Sequence, residues 1–380
     1  MHATTVGAYG SWLDRMLPRG PARLSLRRRD APGLAAWRRR ARARVERLIA
    51  PPDSGPAPRP RVRRAYEWDG LHVEHLRWAN PGGPATEAIL LKPAGARVRL
   101  PAVLALHCHG GNKMLGWRKV ARGREPVSPF VRRHVEQYYG SAFWANDLAR
   151  HGYVVLAHDV FAFASRRVRT RDVLPRVRGD APVADPRTAE ELWRYNQWAG
   201  GHEHVMAKAL FAAGTTWPGV VLAEDRRALD ILCARPDVDP RRVGCGGLSG
   251  GGLRTVYLAG LDSRVRCAVC VGYMTTWRDM VLNQCWTNTW MVNAARLPRE
   301  LDFPEILGLR APLPTLVLNT RKDQLYTLPE MKRADRILGA VYRKARAAER
   351  YRCSFYAGFH KFDGVMQQEA FAWYDRWLTP

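Results

Sequence analysis

The sequence predicts an α/β fold with a mostly parallel central sheet, helices on both faces, antiparallel strands at its entry and lid-like insertions. Three observations carry this expectation. From Pro101 onward, short apolar runs alternate with segments of helical character, the pattern of a parallel sheet covered on both faces. Upstream, apolar-polar runs at 62–68, 71–78 and 87–92 are separated by Asp69-Gly70 and by Asn80-Pro81-Gly82, which reads as an antiparallel entry. Finally, Gly247-Leu248-Ser249-Gly250-Gly251 follows an apolar run and precedes a segment that can be helical, a strand-turn-helix setting.

Taken in order, the first thirty residues read as a loose, basic arm. A helix follows over 33–50, where Leu34, Trp37, Val45 and Leu48 form an apolar stripe among the arginines of WRRRARARVERL. A proline-rich connector covers 51–60. The parallel part has expected strands at 103–107, 153–158, 242–246, 265–271, 315–319 and 352–356, with helices over 142–151, 220–235 and 364–378. Residues 1–60 are therefore expected as arm and helix, and 61–380 as one domain with insertions at about 166–215 and 275–308. Insertions in such sheets gather at the carboxyl ends of the strands, where ligands bind, so both are candidate lids. In the second, Trp277, Trp286, Trp290 and Met291 are costly to leave in water, which makes the tryptophans candidate pocket walls.

Bulk properties exclude several classes. No stretch approaches the roughly 20 apolar residues that cross a bilayer, and the first twenty residues lack the apolar core of a secretory signal. The expectation is a cytoplasmic protein with no membrane partner. The 7 cysteines are odd in number and scattered, unlike a disulfide scaffold. Cys267 and Cys270, three apart on an expected strand, face opposite sides, which argues against a redox or zinc pair. The net charge of +26 raises nucleic acid as a partner. However, the arginines are spread along the chain without an RNP, zinc-finger or P-loop pattern, which argues against it. Nothing in the pattern fixes an oligomeric state.

The pentapeptide around Ser249 suits a nucleophile elbow, in which small residues let a tight turn lift the serine hydroxyl clear of the sheet. The alternative is an ordinary glycine-rich turn in a chain with 32 glycines. A serine hydroxyl needs a base, and the base needs an orienting carboxylate. On a doubly wound sheet they should follow in the order serine, acid, histidine. Asp323 lies just past the run at 315–319, and His360, the only histidine downstream of Ser249, lies just past the run at 352–356. Oxyanion donors are expected from the Gly250 N–H and from the loop His107-Cys108-His109-Gly110-Gly111-Asn112, where Gly111 is the chosen donor. His109 and Asn112 are candidate pocket residues. The H-x-H of His107 and His109 raises a metal, but no acidic or cysteine partner stands at fitting spacing. No metal or cofactor is expected. Asp159 is a reserve carboxylate on the wrong side of the strand order, and His202 and His204 read as a helix start or pocket wall.

The segments HCHGG, FWANDLARHGYVVLAHDVFAFASRR, DRRALDIL, GCGGLSGGG and FYAGFHKF resemble the α/β-hydrolase superfamily, in particular its dienelactone-hydrolase and acetyl-xylan-esterase-like branch. The likeness runs from about Trp37 to Leu378. It implies the α/β-hydrolase fold, a Ser249–Asp323–His360 triad, and oxyanion donors at Gly250 and the Gly110-Gly111 turn. Dienelactone hydrolases themselves use a cysteine nucleophile, so Ser249 departs from that chemistry. Secreted xylan deacetylases carry an export signal, which is not visible here. The expected activity is that of a serine carboxylesterase on a small ester, such as an acetyl or other short acyl ester of a sugar or natural product. Alternatives are a thioesterase or peptidase on the same triad, or an inactive binding protein with a basic surface.

Overall fold

The computed structural model describes residues 4–379. Nine strands form one sheet: β1 (Arg61–Trp68), β2 (Leu71–Trp78), β3 (Thr86–Pro93), β4 (Leu100–Ala105), β5 (Val154–His158), β6 (Val238–Leu248), β7 (Cys267–Val271), β8 (Thr315–Thr320) and β9 (Tyr351–Tyr356). Their spatial order is β1-β2-β3-β5-β4-β6-β7-β8-β9. The first three strands and the β3–β5 pair run antiparallel, and every pairing from β5 to β9 is parallel. After β4 the chain moves to one side, to β5, and then returns to β6 on the other side. The loops leaving β4 and β6 therefore diverge and open a crevice at their carboxyl ends.

The helices described are α1 (Gly10–Met16), α2 (Leu34–Ile49), α3 (Pro129–Tyr139), α4 (Trp144–Arg150), α5 (Pro175–Arg178), α6 (Ala189–Ala212), α7 (Trp217–Ala234), α8 (Gly250–Leu261), α9 (Leu297–Glu300), α10 (Phe303–Gly308), α11 (Leu328–Lys344) and α12 (Gly364–Leu378). Side chains alternate across each buried strand and so feed two apolar layers. On β4, Leu104 joins the layer under α2, α7, α8, α10 and α11, whereas Val103 and Ala105 join that under α3, α4 and α12. Cys267 and Cys270 likewise fall in different layers, and both are free thiols.

Helix α2 buries Trp37 and Val45 of the expected stripe together with Ala41 and Ile49, while Leu34 and Leu48 are half-buried against the same core. This face packs against α7, α8 and α9. The segment read as a loose arm is seated in part. Ala22, Ser25 and Leu26 are buried, Trp37 Nε1 donates to Leu24 O (2.6 Å), and Arg23 and Arg44 both pair with Glu300 (2.6 and 2.8 Å). Besides the short α1, α5, α9 and α10, three longer helices escaped the sequence reading, α3, α6 and α11. Each has a start signal in hindsight: Ser128 before Pro129, the capping box of Thr188 with Glu191, and Thr327-Leu328-Pro329-Glu330.

Candidate active site

Ser249 stands between β6 and α8 with φ 58° and ψ −119°, a left-handed posture that a non-glycine residue holds only when its surroundings enforce it. They do so from two directions. Its N–H donates to Val271 O (2.9 Å), and its carbonyl accepts from Leu253 N in the first turn of α8 (2.9 Å). A side chain at either Gly247 or Gly251 would overlap the carbonyl oxygen of Leu106, so the chain can cross beneath β4 only with glycine at both positions. The elbow thus follows from sterics, and it leaves the Gly250 N–H at the open end of a helix dipole.

Asp323 lies three residues beyond β8 and His360 four beyond β9, so both reach the same sheet edge. His360 Nδ1–H donates to Asp323 Oδ2 at 2.7 Å, and the other carboxylate oxygen accepts from Leu325 N at 2.9 Å. The pair is almost fully buried. Gly272, just past β7, leaves room for the ring: a Cβ there would lie 2.9 Å from His360 Cε1. His360 Nε2 has no partner among the described residues and borders the same cavity as Ser249. No hydrogen bond joins the serine hydroxyl to it in this state.

The loop after β4 also reaches the cavity, through His109, Gly110 and Gly111. The expected donor, Gly111, requires correction: its N–H is already directed at His109 Nδ1 (3.1 Å). The N–H groups of His109 and Gly110 have no acceptor among the described residues. His109 Nε2–H in turn donates to Glu203 Oε1 (2.7 Å), which also pairs with Lys113. Burial, reinforced by Lys113, holds the His109 imidazole down at about 4, so it is neutral with its proton on Nε2. Burial opposes the charge on Glu203, but His109 and Lys113 outweigh it and bring the carboxyl to about 2.

No protein-family model matches the chain. YtaP of Bacillus subtilis, provisionally named a hydrolase, is 26% identical over 309 residues, spanning 80% of this chain and 88% of its own. Among solved structures, a Bacteroides fragilis protein provisionally described as an acetyl xylan esterase superposes with TM-score 0.67 at 16% identity, covering 94% of this chain and 83% of its own. A glucuronoyl esterase from Solibacter usitatus gives TM-score 0.62 at 15% identity, covering 95% and 99%. One from Teredinibacter turnerae gives 0.61 at 14%, covering 96% and 89%.

The chain has the α/β-hydrolase fold. On this hydrolase fold the cavity above Ser249 encloses about 280 Å³. Its walls are Tyr138, Tyr273, Tyr326, Leu253, Leu325 and Gln324, with Thr287, Asn288, Thr289 and Met291 from the second insertion. No Arg, Lys, Asp or Glu is among the described lining residues, although the chain carries a net charge of +26.

The tryptophans expected as walls do not line it. Trp277 is a core residue, donating from Nε1 to Leu301 O (3.0 Å) and meeting Phe303 edge-on, while Trp286 is 77% exposed and Trp290 sits at the surface. Asn112 is also turned away, its Oδ1 accepting from Leu115 N (3.3 Å). Nothing from 166–215 lines the cavity, and that insertion contributes instead Glu203, from behind. Asp159 is a structural carboxylate, accepting from Trp117 N (2.9 Å) and Ser165 N (3.1 Å). His202 stacks on Trp198 (4.7 Å). His107 and His109 use different partners, Cys108 O and Glu203.

Sequence reasoning also missed what lies beneath the elbow. Arg254, one turn into α8 and fully buried, pairs with Asp225 of α7 (2.6 Å) and contacts His158 Nε2 at the end of β5 (2.9 Å). This cluster fastens the helix behind Ser249 to two neighbouring elements.

Proposed function

We propose that the protein is a serine carboxylesterase for small, neutral, polar esters, with an acyl ester of a sugar as the fitting substrate class. The observation that carries this reading is the convergence of Ser249 in its strained elbow, the buried Asp323–His360 pair and an unspent His360 Nε2 on one cavity. His360 takes the Ser249 proton as the hydroxyl attacks the ester carbonyl, and Asp323 holds the imidazole in the required tautomer. The Gly250 N–H and a donor from the loop after β4 receive the oxyanion. The alcohol leaves with the proton from His360, and water then repeats the sequence on the acyl-enzyme.

The lining supports the substrate class. Tyrosine, threonine, asparagine and glutamine groups offer hydroxyls and amides to a polyhydroxylated alcohol, and about 280 Å³ accommodates one sugar ring with a short acyl group. An uncharged wall fits a neutral ester rather than a free acid. The names of the structural neighbours support esters that contain a sugar, as the alcohol for the acetyl xylan esterase and as the acyl part for the glucuronoyl esterases. The test is fluorophosphonate labelling with peptide mapping, followed by a panel of acetyl, butyryl and octanoyl nitrophenyl esters, acetylated sugars and thioesters. Label on Ser249 with preference for short acyl oxygen esters is the expected result. Label elsewhere, or a preference for thioesters, would overturn it.

A further inference from the structure

Behind the loop after β4, on the side away from the cavity, lies Lys119, which is fully buried. Its Nζ donates to two successive carbonyls, Cys108 O (2.8 Å) and His109 O (2.9 Å), and stands 4.3 Å from the centre of the Phe163 ring. In a trans peptide the N–H points opposite to the C=O. Holding both carbonyls on the Lys119 side therefore directs the N–H groups of His109 and Gly110 to the other side. Neither N–H has an acceptor among the described residues. Gly110 lines the cavity with Ser249 and Gly250, and the His109 nitrogen lies 2.9 Å from where a Cβ on Gly250 would stand. The next peptide is fixed as well, since the Gly111 N–H is spent on His109 Nδ1. Burial opposes the charge and pulls the Lys119 ammonium down to about 7, a penalty that an apolar side chain of the same length would not carry. Each carbonyl has one further contact, His107 Nδ1 with Cys108 O (3.0 Å) and Asn112 N with His109 O (3.2 Å), but only Lys119 reaches both and ties the two peptide planes together.

Resting on the esterase reading, we infer that Lys119 is a positioning residue for the oxyanion hole: it holds the peptide planes of Cys108–His109 and His109–Gly110 so that the Gly110 N–H, with that of Gly250, meets the tetrahedral oxyanion. A preorganised backbone donor acts only as charge develops on the oxygen, so its loss falls on kcat.

The experiment starts from the full-length chain and its Ser249→Ala variant. Ester hydrolysis by the first and not the second secures the reading on which the inference rests, and an inactive parent chain overturns both. Lys119→Met is then expected to lower kcat about a hundredfold with KM within about threefold, and to weaken a trifluoromethyl ketone inhibitor in parallel with kcat/KM. A merely structural role would spread the loss over KM and inhibitor alike, or show only in melting. The second measurement needs no variant. Labelling with carbonyl-¹³C histidine and ¹⁵N glycine leaves two His-Gly correlations, His109–Gly110 and His151–Gly152. Formation of the ketone adduct should move the Gly110 amide proton downfield and leave Gly152 in place. A folded Lys119→Met enzyme with kcat within threefold of the parent, or a Gly110 amide unmoved by the adduct, would overturn the inference. If Lys119→Met does not fold, the amide signal decides.

Discussion

The two sides of the cavity share buried-charge fastenings but differ in what those fastenings hold, backbone on the floor and neutral side chains on the roof. On the floor, the backbone around Ser249 and the loop after β4 is held from behind by buried charges: Lys119 on two carbonyls, Glu203 through His109, and Asp225 with Arg254 under α8. The roof, contributed by 287–291 and 324–326, presents neutral side chains. Its main fastening is Asp279, which accepts from Thr275, Asn283 and Thr327. Buried charge fixes peptide planes to within the tolerance that transition-state stabilisation demands, because a wrong orientation leaves an ion unpaired. Neutral hydroxyls and amides fix a ligand more weakly and can be exchanged at little cost to the fold. On the proposed reading, the floor serves the chemistry and the roof the choice of substrate.

Breaking the floor at its centre should have the largest effect. Ser249→Ala is expected to reduce kcat by about four orders of magnitude or more with an unchanged melting temperature, read by ester turnover beside calorimetry. Next comes Asp225→Ala, which strands a fully buried guanidinium. A loss of about 3–5 kcal/mol in urea unfolding is expected, and a loss under 1 kcal/mol would mean that the cluster does not anchor α8.

The floor should also make the protein sensitive to acid. Burial holds His107, His109 and His134 below the ordinary imidazole value, with His109 at about 4. As pH falls from about 6.5 toward 4, the unfolded chain takes up protons that the native state refuses, so native stability falls. Below that range the Glu203 carboxyl, brought to about 2, adds to the loss as its unfolded counterpart becomes protonated above it. Urea midpoints measured from pH 7 to 4 should decline, and His109→Gln should flatten the decline by an amount on the order of 2 kcal/mol. A flat profile in the parent chain would contradict the neutral assignment of His109.

Roof substitutions should be milder. Asn288 sits 3.4 Å from both the Tyr273 and Tyr326 hydroxyls, and Asn288→Ala is expected to raise KM for a sugar ester about threefold to tenfold with little change in kcat. Smallest of all, Trp286→Ala should leave both constants within twofold, since the ring is in solvent. A large effect there would mean that the roof closes over the substrate and draws Trp286 inward.

Most of the sheet was legible because its strands are short, apolar and bounded by turns. The meeting of Ser249, Asp323 and His360 at one place was legible because a strained serine turn, a strand-end aspartate and a single downstream histidine leave few assignments. What could not be read depends on contacts remote in sequence. The orientation of the Gly111 N–H is set by His109, which is itself set by Glu203, 94 positions away. Glycine content shows where a loop can turn, but not which of its N–H groups is left unspent. The tryptophans of 275–308 were misplaced for a related reason. Hydrophobicity demands burial or an interface and does not distinguish them, so Trp277 went to the core and Trp286 to the surface.

The uncharged lining also bears on how a catalytic cycle ends. Hydrolysis converts a neutral ester into an anion, and a pocket without a cation offers that anion no ion pair to leave behind. On the proposed esterase reading, product acid should therefore be held less firmly than substrate and inhibit turnover weakly.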